Sequence, residues 1–112
     1  MPFRSSESSL PLTPISFEIL LAVMDGAQHG YAILQAVEAR LGGLLPMRTG
    51  TIYRALARLL DEGLIEEASG ASDERRRNYR VTAQGKAIAR AEAKRLADQV
   101  ARAKRLLPEP RR

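Results

Sequence analysis

Thr49-Gly50-Thr51-Ile52-Tyr53-Arg54-Ala55-Leu56-Ala57-Arg58-Leu59-Leu60-Asp61-Glu62-Gly63 reads as one amphipathic helix with a marked stop. Ile52, Leu56, Leu59 and Leu60 recur at intervals of four, three and one, which puts them on one stripe of a 3.6-residue helix. Thr51, Arg54 and Arg58 recur at three and four and stack on another side. The pattern closes at Asp61-Glu62-Gly63. Such a helix needs a body for its apolar side and leaves a face of hydrogen-bond donors outward.

That body lies upstream. Thr13 is placed to cap a first helix, Pro14 suits its first position, Ile15, Ile19, Ala22 and Val23 form its stripe, and Gly26 ends it. A second helix runs from about Gly30, with Ile33, Val37 and Leu41 on one side, until Gly42-Gly43 stops it. Leu44 to Met47, containing Pro46, connects it to the third helix.

Downstream, Leu64 to Ala68 reads as a strand, and Tyr79 and Val81 alternate with Asn78 and Arg80 in a second. Tyr79 and Val81 share a side, with Tyr79 expected in the core. The polar tip, Ser69 to Arg75, runs into Arg75-Arg76-Arg77. Thr82 is placed to cap a long last helix that reaches Leu107 before Pro108. Ala89, Ala93, Leu96, Val100, Ala103 and Leu107 follow a heptad spacing. On a helix too long for the small body beside it, that stripe calls for a second copy, with Ile15 and Ile19 of the first helix contributing.

The fold class expected is mainly α with a small β-hairpin: a winged helix-turn-helix plus a long carboxy-terminal dimerisation helix. Residues 1–12 read as a flexible amino terminus, 13–82 as the winged helix-turn-helix, 83–107 as the dimerisation helix and 108–112 as a tail. The scarcity of aromatics (three Tyr, two Phe, no Trp) makes the core aliphatic. With no cysteine, disulfides, thiolate metal sites and cysteine nucleophiles are excluded. One histidine, His29, makes a poor metal site and fits better as a cap or hydrogen-bonding group at the start of the second helix. No apolar run reaches the roughly 18 residues of a membrane span, and Met1 to Pro14 does not read as a secretion signal. We therefore expect a cytoplasmic protein without metal or cofactor.

The net charge of +5 favours polyanionic partners. The major groove of B-DNA admits one α-helix and presents a distinguishable code of donors and acceptors. A helix buried on one side and carrying Thr51, Arg54 and Arg58 on the other suits that groove. The fork of an arginine suits phosphate, and Arg75, Arg76 and Arg77 sit where a wing would reach it, although Asp73 and Glu74 offset part of their charge. Catalysis finds no constellation: Glu66 and Glu67 are neighbours on a strand and point to opposite faces.

The chain also carries several linked motifs in a fixed order. These are His29-Gly30-Tyr31-Ala32-Ile33; Gly50-Thr51-Ile52-Tyr53 followed by Leu56, Arg58 and Leu59; Glu62-Gly63-Leu64-Ile65; and Arg75-Arg76-Arg77 with Tyr79, Val81-Thr82 and Gly85. From Pro14 to Gly85 the chain resembles the PadR family of bacterial transcriptional regulators, and its single last helix resembles the short subfamily. The resemblance implies homodimers on palindromic operators in double-stranded DNA, usually repression, and in some members release by a small molecule. It implies DNA contacts by Arg48, Thr49, Thr51, Tyr53 and Arg54 at the start of the third helix, and by the wing arginines at phosphate or the minor groove. Where the family often has proline, this chain has Thr49 and Arg54. Thr49 could cap the helix instead, and Arg54 adds a donor, so operator preference does not carry over.

Three choices stay open on the sequence. Tyr53 either donates to a phosphate at the groove edge or packs its ring beneath the third helix. The chain could be a winged-helix protein-interaction module without DNA binding. A small aromatic effector could lie between subunits against Phe17, Leu96 and Val100, although the lack of tryptophan removes a broad stacking surface.

Overall fold

Pro14 occupies the first turn of α1 (Pro14–Met24), and the Thr13 hydroxyl accepts the Ser16 N–H at 3.1 Å. The amino-terminal end is thereby capped as the sequence suggests. The computed structural model describes residues 10–44, 48–68 and 77–110, with α2 (Gly30–Leu41), α3 (Thr49–Asp61), β1 (Ile65–Glu67), β2 (Tyr79–Val81) and α4 (Ala83–Leu106) following in order. Ile19, Leu20 and Val23 of α1, Ile33, Val37 and Leu41 of α2, and Ile52, Leu56 and Leu59 of α3 meet in one aliphatic core, closed by Leu64, Ile65, Tyr79 and Ile88. Leu10 and Leu12 also pack on this core. Both fall within the stretch 1–12 expected as a flexible amino terminus, of which residues 1–9 lie outside the described residues.

The end of α3 sets the hairpin. Gly63 takes φ of +76°, a conformation that a Cβ would strain. Its N–H bonds to the Leu60 carbonyl and the Leu64 N–H to the Leu59 carbonyl, closing the helix and burying Leu64 against Leu59. The first strand is consequently shorter than expected, because Leu64 belongs to the turn. β1 and β2 pair antiparallel with Ile65 opposite Val81, Glu66 opposite Arg80 and Glu67 opposite Tyr79. Tyr79 is buried, as expected from the alternation. The other edge of β2 is also occupied: the Tyr79 N–H bonds to the Gln28 carbonyl at 2.8 Å and the Gly30 N–H to the Arg77 carbonyl at 3.2 Å.

α4 starts under a Thr82 cap whose hydroxyl accepts the Gly85 N–H at 3.0 Å. Its buried face consists of Gly85, Ile88, Ala89 and Glu92. Ile19 and Ala89, expected as contacts for a second copy, are instead buried within their own subunit, Ile19 completely and Ala89 with 6% exposed, which leaves almost no surface for that role. Helical periodicity marks a face to be covered without saying by what, and the body's own core covers these two. Beyond Glu92 no α4 residue is buried; Val100 and Leu107 are exposed, while Leu96 and Ala103 are half-buried.

Glu92 is buried yet charged. Arg95 grips its carboxylate with two bonds of 2.8 and 2.7 Å. The Arg95 hydrogen bonds hold the Glu92 carboxyl below the ordinary glutamate range against the opposing effect of burial. A lowered folded-state pKa contributes stability that is full above the ordinary glutamate value and disappears as pH falls through the folded one. Thermal melts from pH 7 to pH 3 should therefore show wild type ahead of Glu92→Gln at neutral pH, with the gap narrowing in acid.

Candidate nucleic-acid interface

The two sides of α3 differ as sharply as its sequence implies. Ile52, Leu56 and Leu59 are at most 2% exposed, whereas Thr49, Gly50, Arg54, Ala57, Arg58 and Asp61 are exposed. Thr51 is half-buried at the margin. The Arg54 guanidinium lies 3.4 Å from the Thr51 hydroxyl, so two of the expected readers form one donor pair. Arg58 keeps 71% of its side chain in solvent, with Glu62 3.7 Å away one turn further on.

Arg48, not Thr49, is the boundary residue of α3. Its carbonyl accepts from the Thr51 and Ile52 N–H groups, and its side chain makes no cap bond. Thr49 is already helical, which leaves its hydroxyl outward and corrects its expected capping role. No acidic residue occupies the first turn. The positive end of the helix dipole, with Arg48 beside it, is thus unopposed by a local carboxylate.

Tyr53 takes the packing arrangement. Its ring lies half-buried against the core and its hydroxyl oxygen has no contact with solvent, so it is not presented at the outer face. On the hairpin, Arg77 is half-buried with Glu67 3.7 Å from it, while Arg75 and Arg76 lie outside the described residues. The structure adds a pair that the sequence reading missed: Arg80 Nε lies 2.7 Å from Glu66 Oε2 on the outer side of the sheet. Cross-strand opposition of a carboxylate and a guanidinium was the available signal. His29 stands at the boundary of α2, makes no cap bond there, and bridges Asn78 through its backbone. Phe17, Leu96 and Val100 do line one apolar hollow, together with Ala93 and Ala97.

The family model described as the transcriptional regulator PadR-like family matches residues 19–91, from the core of α1 through the buried turns of α4. The chain belongs to that family. Its members are transcriptional regulators, so DNA-binding regulation and not catalysis is the class of activity. Solved structures agree on the fold. The PadR-like transcriptional regulator from Bacillus cereus strain ATCC 14579 gives a TM-score of 0.69 at 21% identity, over 86% of this chain and 93% of its own. The PadR family transcription regulator from Clostridium difficile R20291 gives 0.67 at 22% identity, over 85% and 99%. Wild-type MarR from E. coli, in its apo form, gives 0.54 at 21% identity, over 92% and 84%. No curated protein matches the chain. This PadR-like chain is a winged helix: mainly helical, with one two-stranded hairpin among the described residues. None of the described helices is long and apolar enough to cross a membrane.

Proposed function

We propose that the chain is a repressor that binds a palindromic operator as a homodimer, with each α3 in a major groove. The observation that carries this reading is the division of α3 between a buried apolar stripe and an exposed face holding Arg54 and Arg58. The dimer forms through the outer half of α4, where Ala93, Leu96, Val100, Ala103 and Leu107 leave an uncovered face, with the half-buried Ile15 of α1 contributing. The two recognition helices then meet successive grooves roughly 34–36 Å apart. The wing, through Arg75, Arg76 and Arg77, supplies phosphate contacts. The winged-helix body spans residues 13–82, the dimerisation helix 83–107 and a short tail 108–112, and the protein works in the cytoplasm. A small aromatic effector that entered the hollow at Phe17, Leu96 and Val100 would occupy surface that the second copy needs, which supports release by a ligand.

Selection of bound duplexes from a random pool tests the reading. A symmetric site is expected, with binding that falls steeply as salt rises. Glu66→Gln, which frees Arg80, is expected to tighten binding to all duplexes and to steepen the salt slope by about one unit if Arg80 gains a phosphate. No enriched duplex, together with salt-insensitive binding to a protein, would replace this reading with the interaction-module one.

A further inference from the structure

α4 carries cations where a helix gains nothing from them. Lys86, Arg90 and Lys94 follow one another at intervals of four, so they stack along one side, and all three are exposed. Each stands two residues from a buried one, Lys86 from Ile88 and the other two from Glu92, and so points nearly the opposite way. They form a ridge about 12 Å long. Like charges four residues apart destabilise a helix. Lys86 also closes a first turn that holds no acid, where the helix dipole favours anions over cations. Among the described residues no carboxylate pairs with Lys86 or Arg90; Lys94 has Asp98 at 2.9 Å, with both side chains mostly in solvent.

We propose that this ridge is a second docking surface for duplex DNA, taking the phosphate backbone of a segment other than the one read by α3. Three positive charges at a pitch of about 6 Å suit a rod whose strands each present one phosphate per roughly 3.4 Å. Anionic lipid fits less well. A helix lying on a membrane buries large apolar side chains beside its cations, and here the exposed uncharged neighbour is Ala87. A protein partner would ask for an apolar centre inside the charged rim. The large exposed apolar residues of α4 are Val100, Leu106 and Leu107, all beyond the ridge. α4 packs on α1 and β2 with its buried face, so the ridge looks away from both. The proposed dimer seam leaves it open, since Lys94 is two residues from Leu96 and points nearly the opposite way. The site goes beyond the operator reading, because no α3 residue belongs to it.

The test loads full-length protein to saturation on its immobilised operator and then offers a labelled duplex without half-sites, from roughly 50 to 200 mM salt. Wild type should retain the second duplex, with affinity falling roughly fortyfold across that range, the counterion release of three phosphate contacts. The triple variant Lys86→Gln, Arg90→Gln, Lys94→Gln should lose that retention. It should bind the operator as wild type does and melt no lower, since glutamine keeps the helix propensity and relieves the repulsion. The double variant Lys86→Arg, Arg90→Lys keeps the charges and should retain the duplex. The proposal is overturned by a wild type that retains no second duplex, by undiminished retention in the triple variant, or by an operator affinity that falls in proportion. Tighter retention of phosphatidylserine vesicles than of duplex would overturn it too. A wild type that selects no operator would defeat the α3 reading alone. Plain duplex titrated against wild type and the triple variant then tests the ridge, with salt slopes expected to differ by about three and equal slopes refuting it.

Discussion

Gly85→Ala is expected to cost about 3 kcal/mol or more of folding stability, at or above the upper end for overpacking, and to lower the melting temperature by about 10 °C. The new Cβ would overlap the Leu64 carbonyl oxygen and come within 2.8 Å of Val81 Cγ1. The carbonyl is backbone, fixed by the closure of α3 and by the Thr82 N–H, so it has nowhere to retreat. Gly43→Ala makes the contrast, because a Cβ there meets nothing within 4 Å. It should be neutral or slightly stabilising, as at glycines whose backbone suits alanine. Chemical denaturation of both variants beside wild type checks the pair. Equal melting of the two alanine variants would mean that α4 does not approach the Leu64 carbonyl as described.

Arg54→Ala should be the most damaging single change to operator binding. Arg54 is exposed, is the first guanidinium within α3, and reaches the Thr51 hydroxyl only at a long 3.4 Å. If it reads a base edge, its loss should cost about 1–3 kcal/mol, or roughly ten- to a hundredfold in affinity, and relax preference at one position. A phosphate contact would instead weaken all duplexes alike and reduce the salt slope by about one. Arg58→Ala should cost less, since Glu62 already draws on its charge. Titrations at several salt concentrations on the selected operator and on a scrambled duplex separate these outcomes. Binding unaltered by both substitutions would refute the role of the α3 face.

The parts of this protein legible in its sequence are those where one residue's chemistry has one use. Thr13 and Thr82 each precede a helix, and a hydroxyl in that position has a free N–H to satisfy. The stripe of α3 was legible because its arginines and leucines fall on opposite sides of a single helix. Ile19 and Ala89 were not, since an apolar residue at helical spacing is the same signal whether its own core or a second subunit covers it. Glu92 escaped for the opposite reason: charged residues are read as solvated, and only its i+4 relation to Ile88 hinted at the buried side. Tyr53 offered a phenol that could serve either packing or phosphate, and spacing cannot choose between two uses of one ring. The acids opposite the hairpin arginines needed the strand register, which a sequence with a long polar tip does not fix.

The hydrogen bonds joining β2 to the stretch just ahead of α2 have a thermodynamic corollary for any duplex the protein meets. Hairpin and helix-turn-helix are stitched across the Gln28–Tyr79 and Gly30–Arg77 backbones, so neither can be oriented without the other. In the proposed complex, seating α3 would already incur the loss of rotational freedom for the hairpin, and any phosphate contact it makes would come as an intramolecular event at high effective concentration. Severing that stitch would convert a single cooperative docking into two independent, weaker ones.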